Sequence, residues 1–261
     1  MSGKIIPAIP FVMSILLLIL SANLYSQGSA GNDATIETRY IIDQPTAGIL
    51  RGHTSALDME FYQQGGLLLG LSVGLFDRLM LGISYGATGL IGADHTDWNP
   101  LPGIALKVRI LDETNMLPAF ALGFDSQGKE SYLSDASRYT IKSPGFFLTA
   151  SKNYQAFGFL GFHGGISYSL EHADGDEDPN IFAGVEKTIG PFASILAEYS
   201  LGWNDSDHDA RGRGRGYLNT GIAVSAWNGV TLKLFLKDLF RNQQDISVGN
   251  RVFSVDFVNP L

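Results

Sequence analysis

From Leu67 to Leu75 the chain reads LLLGLSVGL, and after Phe76, Asp77 and Arg78 it reads LMLGISYGA from Leu79 to Ala87. In the first run Leu67, Leu69, Leu71, Val73 and Leu75 alternate with Leu68, Gly70, Ser72 and Gly74; in the second Leu79, Leu81, Ile83 and Tyr85 alternate with Met80, Gly82, Ser84 and Gly86. Successive side chains of an extended backbone point to opposite sides, so each run predicts a strand with one apolar face. The same period recurs along the chain. Leu57, Met59 and Phe61 oppose Asp58 and Glu60; Ile104, Leu106, Val108 and Ile110 oppose Ala105, Lys107 and Arg109; Val230, Leu232, Leu234 and Leu236 oppose Thr231, Lys233 and Lys237. About twelve strands are expected between Leu57 and Val258. They begin near Leu57, Leu67, Leu79, Ile104, Ala119, Phe146, Phe157, Ile181, Phe192, Tyr217, Val230 and Val252.

Composition narrows the class. Of 261 residues 17% are charged, 45% are hydrophobic and 31 are glycine, with no cysteine and a formal charge of −8. Without Cys there is no disulfide, no thiol catalysis and no lipoprotein anchor. An acidic chain lacks the basic footprint that nucleic acid requires. The first residues carry Lys4, then an apolar run from Ile5 to Leu20 broken by Pro7 and Pro10, then small residues at Ser26, Gly28, Ser29 and Ala30. This predicts a cleaved signal peptide over 1–26, with cleavage between 26 and 30. Residues 27–54 are then expected as an N-terminal periplasmic or plug segment, and 55–261 as the barrel described next.

A soluble sandwich and a membrane barrel both put apolar side chains on one face of each strand, so the connections decide between them. Short links at Phe76–Arg78, Asp112–Met116, Lys152–Gln155, Lys187–Pro191 and Trp227–Gly229 alternate with long ones at Thr88–Gly103, Ser126–Ser143, Glu171–Asn180, Trp203–Gly216 and Leu239–Asn250. Outer-membrane barrels have short turns on the periplasmic rim and long loops outside. Gln63–Gly66 is the exception, short where a long loop is expected. Tyr85, Trp98, Phe124, Trp203, Trp227 and Phe257 fall near strand ends, as aromatic girdles do. The fold expected is all-β: an antiparallel up-and-down transmembrane β-barrel of about twelve strands, with both termini in the periplasm. Facing its lumen is a ladder of both signs: Asp58, Glu60, Lys107, Arg109, Glu186, Glu198, Lys233 and Lys237. Mutual pairing makes such a ladder structural; the alternative is the lining of a pore.

The stretches GGLLLGLSVGLFDRLMLGISYG (65–86), WNPLPGIALKVRILDE (98–113), PAFALGFDSQG (118–128), RYTIKSPGFFLTASKNY (138–154), GFHGGISYSLE (161–171), GRGRGYLNTGI (212–222) and KDLFRN (237–242) resemble the YjbH-like group of bacterial outer-membrane β-barrels. That group is linked by name to exopolysaccharide biosynthesis. The resemblance runs from about Pro45 to the C-terminus and rests on phrases, not on a catalytic signature. It implies an outer-membrane location and a part in exporting or assembling a surface polysaccharide. The chain is short for the group and ends on Leu261 where barrels commonly end on an aromatic, although Phe253, Val255 and Phe257 supply the alternation upstream.

Several motifs invite other functions. Gly70-Leu71-Ser72-Val73-Gly74 matches the nucleophile elbow, but an elbow needs a strand-to-helix turn, and this pentapeptide lies inside an alternating run. An outer-membrane lipid-modifying hydrolase would need a Ser/His pair facing lipid. Of the five histidines, His163 sits in a clear strand, and its parity points it into the lumen. A secreted soluble β-sandwich binding module is the third reading. Asp205, Asp207 and Asp209 begin like a calcium loop, but the sixth and twelfth positions are Ala210 and Gly216 where an EF-hand has Gly and Glu. With Arg211 and Arg213 they stand as external-loop candidates for a ligand or cation, as do Asp174, Asp176, Glu177 and Asp178 in the preceding loop. No metal, cofactor or catalytic residue is assigned. The partners expected are outer-membrane lipid and lipopolysaccharide, a surface polysaccharide and the barrel-assembly machinery, with no nucleic acid.

Overall fold

The computed structural model describes residues 29–92, 95–206, 210–244 and 249–261. The leader expected over 1–26, together with Asp207 and Asp209, lies outside the described residues. The strands are β1 (Thr54–Tyr62), β2 (Gly66–Leu75), β3 (Leu79–Thr88), β4 (Asp97–Trp98), β5 (Gly103–Leu111), β6 (Ala119–Asp125), β7 (Lys129–Leu133), β8 (Arg138–Ile141), β9 (Gly145–Gln155), β10 (Phe159–Tyr168), β11 (Asn180–Ile189), β12 (Ala193–Ser200), β13 (Tyr217–Trp227), β14 (Val230–Lys237) and β15 (Asn250–Pro260). β4 only extends the edge of β3 by two residues, and β7 and β8 form a separate hairpin. The other strands make a closed antiparallel barrel of 12. Closure is made by β1 and β15, which pair from Thr54 opposite Pro260 to Phe61 opposite Phe253. No strand of the barrel is left with an open edge, the condition for a sheet to stand in hydrocarbon.

Side-chain exposure follows the sequence parity. Leu71 is 51% exposed and Ile104 61%, whereas Ser72 and Lys107 on the opposite faces are 8% and 1% exposed. Ile83, Leu122, Ile166, Ile222 and Leu234 continue the exposed apolar set round the wall. Aromatic side chains pair near the strand ends, with Tyr85 stacked on Trp98 at 5.7 Å and Phe124 against Phe146 at 4.9 Å. Ser72 lies mid-strand between Ala56 and Gly82, so the pentapeptide around it is strand and not an elbow.

One rim carries the turns 76–78, 112–118, 156–158, 190–192 and 228–229, together with the start of β1 and the end of β15. The opposite rim carries the loops 89–102, 126–144, 169–179, 201–216 and 238–249, with 63–65 as its one tight turn. That turn is covered by its neighbour, because Gly89 and Ile91 donate their N–H groups to Gln64 and Gly65. Two links differ from the sequence reading. β9 continues through Lys152–Gln155 and β11 through Lys187–Ile189, since the reversals fall at Phe157-Gly158 and Gly190, where the backbone has positive φ. The loop 126–144, expected as a long connection, contains the β7–β8 hairpin.

Leu69→Arg would put a charge into the hydrocarbon side of β2 at a cost of about 2–4 kcal/mol, and Ser72→Arg would not. Single-Cys variants from 67 to 74 treated with a lipid-confined quencher should show strong quenching at 67, 69, 71 and 73 and weak quenching at 68, 70, 72 and 74. Absence of that periodicity would refute the lipid-facing assignment.

Candidate functional site: a charged lumen closed from both ends

Residues 29–53 run inside the barrel. The segment starts at the turn rim, where Ser29 donates its N–H to Thr231 Oγ1 and Gly31 to Ser194 Oγ, both at 3.0–3.1 Å. It climbs to a tight reversal between Tyr40 and Pro45, closed by Ile41 N–H on Gln44 O (3.0 Å) and Thr46 N–H on Arg39 O (3.1 Å), and descends to Gly52 beside Asp77. Room for it is made by missing side chains. A Cβ on Gly184 would come within 2.5 Å of Ile41, and one on Gly48 within 2.0 Å of the Thr38 carbonyl oxygen. At the tip, Ile41 and Ile42 pack with Leu68, Leu196, Phe235 and Val252 of the wall.

The tight reversal leaves the N–H groups of Ile42, Asp43 and Gln44 without main-chain partners, and a buried N–H needs a partner. Glu198 supplies it: one carboxylate oxygen accepts from Ile42 (2.9 Å), Asp43 (3.0 Å) and Gln44 (2.8 Å), and the other from Asn219 Nδ2 (3.0 Å). Arg39 forms a two-pronged pair with Asp58, and Lys233 pairs with Asp256, which is also 3.9 Å from Arg39. Lys107 donates to the carbonyls of Arg39 (2.8 Å) and Gly48 (3.2 Å) and lies 4.9 Å from the centre of the Tyr40 ring. Arg109 holds the Ala47 carbonyl and Glu37, and Glu186 accepts from the Thr38 hydroxyl at 2.6 Å.

The loop rim is closed by the β7–β8 hairpin. Lys129 reaches Glu60 at 2.9 Å, Ser131 meets Thr88 at 3.1 Å, and Glu130 accepts from Asn250. Lys237 is the meeting point, 2.6 Å from Asp43 of the inserted segment, 3.2 Å from Glu60 of the wall and 3.9 Å from Glu130 of the hairpin. Outside it, the fully buried Arg138 bonds Asp174 and Asp205 at 2.6 Å each, and Lys142 bonds Asp174 at 2.8 Å.

Seven of the eight residues of the expected ladder therefore contact one another, the inserted segment or the hairpin, and the eighth, Lys233, pairs with Asp256 of the wall. Glu37, Arg39, Asp43, Lys129, Glu130 and Asp256 join them and escaped the sequence reading, as did Asp125, whose parity with Phe124 puts it on the inner face and which accepts from the Tyr40 hydroxyl at 2.7 Å. Asp256 was visible there, because it opposes Val255 and Phe257 on β15. Among the external-loop candidates, Asp205 is not open to solvent: Arg138, Tyr217 and the Arg211 N–H occupy its carboxylate. Arg211 extends to Asp135 at 2.9 Å and Arg213 to the Gln244 carbonyl at 3.1 Å. His163 faces the lumen, with Nδ1 2.8 Å from Ser151 Oγ.

No family model and no curated protein matches the chain. Among solved structures it is similar to the KdgM porin (9% identity, 80% of this chain and 99% of that one, TM-score 0.49). It is also similar to the Acinetobacter baumannii outer membrane protein Omp33 (9%, 81% and 99%, 0.40) and to the translocator domain of the autotransporter NalP from Neisseria meningitidis (13%, 80% and 86%, 0.36). A closed wall with an apolar exterior, a charged interior and unequal rims permits one placement. The chain is an integral outer-membrane β-barrel.

The hairpin that caps this barrel is expected to respond to pH. Burial pushes the Glu130 carboxyl up to about 7, although Lys237 opposes the shift, and burial raises Glu171 as well. An acid whose pKa is raised in the docked state stabilises docking fully below its ordinary value, and that contribution is lost as pH rises through about 7. A nitroxide on Ser134→Cys should be more mobile at pH 8 than at pH 5, and Glu130→Gln should remove most of the difference. Equal pH dependence in the two proteins would contradict the assignment.

Proposed function

We propose that the protein is a non-enzymatic, gated conduit of the outer membrane, which passes small hydrophilic solutes when the inserted hairpin leaves the lumen. The observation that carries this reading is topological. Both arms of the hairpin cross the same rim, and among the described residues its stretch 38–48 shares no main-chain ladder with the wall. It can therefore withdraw without opening the barrel. What holds it is side-chain chemistry: the Glu198 cradle, the Arg39–Asp58 and Lys237–Asp43 pairs, and the Arg109 and Lys107 bonds to its carbonyls.

The emptied wall would present Asp58, Glu60, Asp125, Glu186, Glu198 and Asp256 against Lys107, Arg109, Lys233 and Lys237. An excess of carboxylates favours neutral and cationic solutes over anions. The resemblance to the YjbH-like group supports a saccharide as the solute and a role in export or assembly of an exopolysaccharide. The hydrolase reading is disfavoured by one contact. Ser151 and His163 do meet, but inside the lumen, away from any acyl chain.

Glu198→Ala frees three N–H groups at the tip. In planar bilayers this variant should spend several-fold more time conducting than the parent, with a preference for cations and with unchanged heat-modifiable migration on gels. Identical conductance of variant and parent, or none from either at any potential, would defeat the reading.

A further inference from the structure

The inserted hairpin does not fill the lumen. On the side of β9, β10 and β11 it leaves a cavity of about 250 Å³, whose lining includes Glu113 and Phe159 at the turn rim. Liquid water occupies about 30 Å³ per molecule, so this is room for about eight waters or one hexose ring.

Its wall is built for a ligand. His163 is 9% exposed; Ser151 occupies Nδ1, while Nε2 has no partner among the described residues. Buried polar atoms are nearly always bonded, so an imidazole nitrogen left empty beside a cavity marks a place for a hydroxyl. Two residues nearer the rim on the same face is Gly161. A Cβ there would lie 2.8 Å from Asn153 Oδ1 and 3.0 Å from His163 Nε2, so the missing side chain is what lets amide and imidazole converge on one point. Two residues further, Phe159 adds an aromatic ring to a lining that also holds Ile36, Ala34, Ala47 and Ala119. An apolar surface beside a few converging polar groups is the arrangement that fixes a small ligand, and a pyranose has the matching pair of features in its C–H face and hydroxyl edge.

Charge selects among sugars. The guanidinium in the lining, Arg109, is paired with Glu37, and Glu113 with Lys152 at 3.2 Å. Glu186 faces the cavity with the Thr38 hydroxyl on its carboxylate and no Lys or Arg at ion-pair distance among the described residues. A uronate would meet that carboxylate without a cation to receive it.

We infer that this cavity is a subsite for one pyranose ring of a neutral saccharide, entered from the periplasmic rim. The inference deepens the conduit reading by naming its solute, yet its test involves no ion flow. The full chain, folded in detergent micelles, is titrated with maltose and with glucuronate by saturation-transfer NMR. Maltose should bind saturably, and glucuronate at least tenfold more weakly. Phe159→Ala removes the ring and Gly161→Leu fills the point of convergence. Each should weaken maltose at least tenfold while heat-modifiable migration shows an intact barrel. No saturable maltose binding to the folded parent, unchanged affinity in both variants, or glucuronate binding as tight as maltose would overturn the subsite. A barrel that binds maltose as described but never conducts would uphold the subsite and defeat the conduit.

Discussion

The ammonium of Lys237 touches three separate pieces of chain: Asp43 on the inserted hairpin, Glu60 on β1 and Glu130 on the capping hairpin. Its position follows from the exterior. Lipid admits only the apolar face of each strand, so the charges alternating with those residues must all point inward, where water is scarce and an unpaired ion is costly. Removing one partner of a buried pair typically costs about 3–5 kcal/mol, and Lys237 has more than one. Wall, hairpin and cap each supply partners to this interior, and the hairpin brings Arg39 and Asp43 as well as a row of main-chain donors and acceptors.

The same requirement explains why closure from the two rims differs. The cap is one loop anchored at both ends in the wall, by β6 and β9, and tied to its neighbours by Arg138 between Asp174 and Asp205. The inserted hairpin hangs from β1 and the turn rim, with its tip gripped by Glu198. Moving the cap breaks a network of fully buried ions. The pairs that hold the hairpin are buried as well, with Lys237 and Asp43 each 3% exposed, but among the described residues its stretch 38–48 shares no main-chain ladder with the wall, so on the proposed reading it is this element, on the periplasmic side, that moves.

The barrel was legible in the sequence because lipid imposes one condition on every strand; parity alone placed each barrel strand within three residues of its start. It also placed Ser72 and His163 inward. The two closures were not legible in this way. β7 and β8 are strands of five and four residues with a register irregularity between them, too short for a period to show. Ile42, Asp43 and Gln44 find their partner on Glu198, more than 150 residues away, and no local pattern announces such a contact. The ladder was read as charges facing one another, whereas most of its members face Arg39, Asp43, Glu37 or main-chain groups of a segment whose own sequence shows only turn-forming Asp43, Pro45 and Gly48. The Ser151–His163 contact joins two neighbouring strands and follows only from their register.

The central claim is that the lumen opens by displacement of the 29–53 hairpin. Ala47 of the hairpin lies in one buried cluster with Ala119 and Ala121 of β6, and the chain has no cysteine of its own. The most direct test is the conductance of Ala47→Cys/Ala121→Cys in a planar bilayer before and after reduction. The account predicts a closed barrel when the disulfide is formed and reversible openings when it is reduced. Openings of equal size and frequency in the oxidised and reduced states would contradict it.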